Sequence, residues 1–218
     1  MSVSRETIAL HYFKERRDKA LRYSEILATT GIERGLIGPS EADRIWNRHI
    51  ENCLPITTLF DQNSRVVDVG SGAGLPGIVI ALARPDLKIT LIEPLPRRVE
   101  FLREVVAELE IPCEIIHGKA ARVERTFRHV TARAVAPLEK LILSTWHLIE
   151  VGGSLMAMKG ERAQEEIDNL SQKIRSKPIK IELKELYLEN DLVGHKEEGL
   201  SRIVLLHRFP KAKKGERA

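Results

Sequence analysis

Residues 65–83 read RVVDVGSGAGLPGIVIALA, and this stretch decides the fold. RVVDV (65–69) is short and rich in β-branched residues, as a buried strand is. Glycines at 70, 72, 74 and 77 follow at once, and IVIALA (78–83) resumes as an apolar helix. A strand that breaks into a glycine turn and then a helix lets a ligand approach backbone with no Cβ in the way.

Downstream, strands and helices alternate, the signature of a doubly wound sheet. KITLI (88–92) is a second strand ending at Glu93, and Pro96 opens a helix with Val99, Leu102, Val106 and Leu109 on one face. Further strands are expected at 113–116, 131–135 and 154–158, with a helix LEKLILSTWHLI before a break at Gly152-Gly153. Ala163, Ile167, Leu170 and Ile174 mark an amphipathic helix. Strands at 180–187 and 202–206, with no helix between them, read as an antiparallel hairpin closing the sheet. Upstream of residue 60 only helix signals occur. Ile8, Tyr12, Leu21, Ile26 and Leu27 recur at roughly helical spacing before a stop at Gly31. A second helix starts near Pro39-Ser40 and is expected to end at Leu54-Pro55.

Composition excludes several classes. The chain has 218 residues, 43% hydrophobic and 30% charged, which suits one large globular domain with an extension and excludes bulk disorder. The apolar run 78–83 is far short of the roughly 20 residues of a membrane span. The start, MSVSRET, has no signal-peptide pattern, so a cytoplasmic location is expected. Cys53 and Cys113 have no CxxC spacing, and the seven histidines form no HxH or HxxxH pair, so no metal is assigned. Net charge is only +4, and the tail KAKKGERA (211–218) supplies most of it, as a solvated end or a tether for a polyanion.

The glycine loop fits three templates unequally. Gly72 and Gly77 have the spacing of a phosphate loop, but Ile78 stands where its lysine is required. Gly72, Gly74 and Gly77 satisfy GxGxxG, a dinucleotide fingerprint. Asp68, Gly70, Gly72 and Gly74 satisfy DxGxGxG, a pattern associated with S-adenosylmethionine-dependent methyltransferases, and here the first glycine directly follows the strand. An acid at the strand end suits a zwitterionic amino acid group better than a pyrophosphate. Glu93, 25 residues after Asp68, stands where a carboxylate can grip a ribose diol. A nicotinamide oxidoreductase and a non-catalytic RNA-binding module stay open as alternatives.

The run DVGSGAGLPG, the strand ending in Glu93 and the following PRRVEFLREVVAEL resemble the 16S ribosomal RNA guanine-N7 methyltransferases, also called glucose-inhibited division protein B. WNRHIENC (46–53), HGKAARV (117–123), TARAVAPL (131–138), MKG (158–160) and the terminal RIVLL extend the likeness over nearly the whole chain. The resemblance implies an α/β fold, a Rossmann-like seven-stranded class I methyltransferase sheet spanning 61–210, with a helical N-terminal extension over 1–60 and a basic tail at 211–218. It implies that Gly70 and Leu75 contact S-adenosylmethionine, that Ala120 and Ala121 lie beside its adenine, and that Arg133 makes a further cofactor or substrate contact. The family commonly has an acid where this chain has Ala121, so an adenine contact there must use backbone or apolar packing.

Asp68, Gly72, Gly74 and Glu93 complete the expected cofactor set. Arg133 interrupts a small apolar strand and needs an anion, with an ion pair to Asp68 or Glu93 as the structural candidate. Lys159 similarly ends the apolar run SLMAM. Arg48, His49, Lys159 and Arg202 are the expected RNA-facing residues. No catalytic base is assigned, because guanine N7 presents a lone pair and no proton, leaving Arg133 and Lys159 to position the reactants. The expected partner is 16S rRNA or a small-subunit particle, acted on by a monomer.

Overall fold

A computed structural model describes residues 4–188 and 200–211. Its seven strands are β1 (Arg65–Val69), β2 (Lys88–Glu93), β3 (Cys113–His117), β4 (Phe127–Arg133), β5 (Ile149–Lys159), β6 (Ile179–Leu186) and β7 (Ser201–Arg208). They form one sheet in the order β3-β2-β1-β4-β5-β7-β6. β1 to β5 run parallel, while β7 pairs antiparallel with both β5 and β6. Val66, Val67 and Val69 of β1 are all buried, because a central parallel strand is covered by helices on both faces and has no solvent side to alternate toward.

One face carries α1 (Arg5–Phe13), α2 (Arg17–Ile26), α3 (Gly77–Ala83) and α4 (Pro96–Glu108); the other carries α5 (Leu138–Thr145), α6 (Ala163–Asp168) and α7 (Gln172–Arg175). The N-terminal helices are not a separate body. Ile8, Phe13, Tyr23, Leu27, Ile50 and Leu54 share one continuous core with Ile78, Leu91 and Phe101. The order in which strands are added reverses between β1, which leads outward to β2 and β3, and β4, which leads the other way to β5. That reversal opens a crevice beyond their carboxyl ends, where open α/β sheets hold their ligands.

Several local expectations need correction. β4 spans Phe127–Arg133 rather than 131–135, so Ala134 and Val135 belong to the loop beyond it. Gly152-Gly153 does not separate helix from strand: both glycines lie within β5, beside a register shift against β4. A Cβ on Gly153 would sit 2.5 Å from the Arg128 carbonyl, so the glycine there serves close strand approach. The single helix expected over 163–174 is two short ones, α6 and α7. The segment from Pro39 is a succession of 3₁₀ and π turns, and Pro55 begins another turn running to Leu59 instead of ending it. Proline lacks an N–H, which the first position of a turn does not need. The basic tail lies, apart from Lys211, outside the described residues. Among the described residues no helix is long and apolar enough to cross a membrane, and no cluster of three metal-ligating side chains occurs.

Candidate active site

The glycine loop leaves β1 at the crevice. Gly70 and Ser71 donate backbone N–H bonds to the Ile92 carbonyl at 2.8 and 3.1 Å, tying the loop to the end of β2. Gly70 (φ +69°), Gly72 (+58°) and Gly74 (+96°) occupy the left-handed region, which side chains other than glycine's adopt rarely. A Cβ on Gly74 would also lie 2.4 Å from Ile78 Cδ1 and 2.8 Å from the Tyr23 hydroxyl. Tyr23, fully buried on α2, donates its hydroxyl to the Ala73 carbonyl at 2.7 Å. The N-terminal helices thus pin the loop from beneath, a contact with no signal in the sequence, where Tyr23 is one more helical aromatic.

Two carboxylates organise the loop. Glu93, at the end of β2, accepts from Gly72 N through Oε2 and from Leu95 N through Oε1, both at 2.9 Å. The Arg98 guanidinium stands 3.9 Å away. Asp68 lies fully buried below the loop, where Oδ2 accepts from Gly77 N at 3.1 Å at the start of α3. Burial pushes its pKa up to about 7. Asp68 Oδ1 is buried with no hydrogen-bond partner among the described residues, a lone pair still open to a donor. Leu75 is buried within the loop. Ala120 and Ala121 form part of a turn (Ala120–Arg122) after β3, with Ala121 exposed. Gly118 N donates to the Glu93 carbonyl at 3.1 Å, which brings that turn beside Glu93 at the end of β2. Asp68, Gly70, Gly72, Gly74, Leu75, Glu93 and Ala120-Ala121 therefore gather at adjoining strand ends. Positive-φ glycines, a carboxylate with lone pairs to spare and an orphaned buried carboxyl oxygen fit a cationic amino acid nucleoside better than a pyrophosphate.

Arg133 finds neither Asp68 nor Glu93 as its direct partner. Its guanidinium reaches into the N-terminal segment, donating to the Arg48 carbonyl (3.0 Å), the His49 carbonyl (3.4 Å), His49 Nδ1 (3.1 Å) and Cys53 Sγ (3.3 Å). Arginine only donates, so His49 Nδ1 is the acceptor and the ring proton sits on Nε2, facing Glu41 Oε2 at 3.3 Å. Burial first, and the Arg133 charge second, push His49 down to about 4. Arg48 pairs with the same carboxylate at 3.0 Å.

Beyond this strut, a cleft of about 1070 Å³ opens over the ends of β4 and β5, lined by Arg48, Arg133, Val135, Lys159, Arg162 and Arg202 among others. Val135 also closes on the glycine loop, since a Cβ on Gly70 would come within 2.8 Å of its Cγ2. The cleft and the glycine loop are therefore neighbours across one side chain. Lys159 and Arg202 both reach the cleft, yet neither is unpaired: Lys159 pairs with Glu166 at 2.8 Å and Arg202 with Glu185 at 2.9 Å.

Comparison with known proteins fits this arrangement. The Ribosomal RNA small subunit methyltransferase G of Acidothermus cellulolyticus is 53% identical over 158 residues, covering 72% of this chain and 71% of that protein. Its namesake in Corynebacterium jeikeium is 48% identical over 171 residues, covering 76% and 77%. Among solved structures, P. horikoshii TYW2 in complex with MeSAdo superposes with a TM-score of 0.57 at 16% identity, covering 74% of this chain and 62% of that one. A SAM-dependent O-methyltransferase from Thermotoga maritima gives 0.53 at 13% identity, covering 73% and 65%. These two likenesses show the class I methyltransferase fold. A sequence profile described as GidB, rRNA small subunit methyltransferase G, matches residues 16–190, and the chain belongs to that family of rRNA methyltransferases.

Proposed function

We propose that this protein transfers one methyl group from S-adenosylmethionine to N7 of a guanine in 16S rRNA, as a monomer in the cytoplasm, on bare rRNA or a small-subunit particle. The observation that carries the reading is the adjacency of two spaces. The glycine loop with Glu93 and Asp68 lies on one side of Val135, and the large cleft over β4 and β5 lies on the other. S-adenosylmethionine, when bound, supplies an electrophilic sulfonium methyl. Glu93 keeps lone pairs beyond the two its backbone partners use, which suits a vicinal diol. Asp68 Oδ1 can accept from an ammonium, and that partner would favour its ionised form. Guanine N7 attacks without losing a proton, so the site's work is orientation, and no histidine–acid pair is needed. In an RNA helix N7 faces a deep, narrow groove, so the target belongs in a loop or distorted region.

A 16S transcript made with 7-deazaguanosine tests the assignment, alongside the unmodified transcript and the small subunit. The deaza RNA keeps its Watson–Crick edge but has no N7 lone pair; it should bind and accept no methyl. Transfer at undiminished rate, or a methyl mapped to an exocyclic nitrogen or ribose oxygen, overturns the N7 reading. Thermal stabilisation by NAD but not by S-adenosylhomocysteine would instead favour the oxidoreductase.

A further inference from the structure

The loop at 134–137 is the wall between the two spaces, and an unusual set of contacts holds it. Ala134 has φ +54°, a conformation uncommon for any residue but glycine and kept only where surroundings enforce it. Lys159, at the end of β5, donates Nζ to the Ala136 carbonyl and to Glu166 Oε2, both at 2.8 Å. Glu166, on α6, uses the same Oε2 to accept from Leu138 N at 2.5 Å, at the first residue of α5. The Lys159 side chain is only 10% exposed. One carboxylate and one ammonium therefore hold the carboxyl-terminal half of the loop, at Ala136 and Leu138, and the neighbouring Val135 lies against Gly70.

We infer that Glu166 is a positioning residue for methyl transfer, clamping the Ala134–Leu138 loop through Lys159 so that Val135 holds the target base in line with the cofactor. The inference rests on the proposed function above and assigns Lys159 to the clamp instead of to an RNA phosphate. A phosphate contact requires a cation free to meet it, whereas this one is buried, neutralised by Glu166 and committed to a backbone carbonyl. Misplacement of a reacting base by about an ångström is enough to lower turnover by up to about a hundredfold without weakening ground-state binding.

Glu166→Ala and Glu166→Gln separate the two roles, measured against wild type on the same RNA. The clamp requires kcat to fall at least about tenfold in Glu166→Ala. The Michaelis constant for RNA and the dissociation constant of S-adenosylhomocysteine should stay within about twofold. Glu166→Gln, which keeps an acceptor for Leu138 N, should recover part of the loss. Amide exchange over 134–138 should quicken in the order wild type, Gln, Ala, a readout independent of activity. A kcat within about twofold of wild type overturns the clamp. So does tighter RNA binding with a steeper salt dependence, the result expected if removing the acid frees Lys159 for phosphate. Wild-type protein that methylates no guanine N7 would count against the proposed function itself, while the exchange measurement would still judge the clamp.

Discussion

Replacing Glu93 by glutamine separates its architectural duty from the ligand duty proposed for it. The carboxylate is 1% exposed and satisfies two backbone donors, Gly72 N and Leu95 N, each at 2.9 Å. A carboxamide of the same shape offers one oxygen and one NH₂, so at one of those positions two donors meet. The variant loses one charge-assisted hydrogen bond and strands a buried N–H, a cost of about 1.5–3 kcal/mol in folding stability. The lone pairs left for a ribose diol also lose their charge, and a loss of similar size there raises the dissociation constant of S-adenosylhomocysteine roughly 10- to 100-fold. Urea unfolding monitored by circular dichroism reads the first effect, and isothermal calorimetry on the still-folded variant reads the second. Stability within about 0.5 kcal/mol of wild type would show that the backbone bonds are not what holds Glu93, since surface-like changes fall in that range. Unchanged affinity would remove Glu93 from the cofactor site.

Tyr23→Phe keeps the ring and deletes only the hydroxyl that holds Ala73, leaving a buried carbonyl unpaired at a cost of about 1–3 kcal/mol. If the loop's binding-competent form depends on that bond, S-adenosylhomocysteine binds roughly 5- to 10-fold more weakly, whereas lost stability at constant affinity would confine Tyr23 to packing. Stability should also fall with acid between about pH 6.5 and 5. Burial holds His49, and His129 buried on β4 beside the Ser154 hydroxyl, down at about 4, so the unfolded chain takes up protons there that the folded one refuses. Asp68, raised to about 7, has the opposite sign, because the folded chain already holds its proton. Two histidines against one carboxyl leave a net uptake that grows from about 0.2 proton at pH 6.5 to about 0.8 at pH 5, at most about 1.1 kcal/mol per pH unit, and Asp68→Asn should at least double that slope in urea unfolding. An unaltered slope in Asp68→Asn would mean that Asp68 is ionised in the folded protein at these pH values.

What was legible in the chain alone is whatever depends on local spacing. A β-branched run, four glycines and an apolar helix mark a strand–turn–helix unit in any context, because the steric freedom of glycine and the periods of strand and helix are local properties. The alternation that follows specified a seven-stranded sheet with a terminal antiparallel pair, as observed. Glu93 was legible too, since the end of the second strand must lie beside the end of the first. Contacts between distant segments were not. Nothing near Tyr23 tells that its hydroxyl meets a carbonyl 50 residues away, and nothing near Arg133 tells that its anchors are main-chain oxygens of Arg48 and His49 rather than a carboxylate. The strand at 131–135 ended two residues early because Ala134 takes a left-handed turn, and the loop beyond it is held at Ala136 and Leu138 by Lys159 and Glu166, contacts made from the far end of β5 and from α6. Charge placement was likewise decided by folding: lysine and arginine in sequence are only cations, and tertiary packing determines which of them are already neutralised by a carboxylate and which remain for a polyanion.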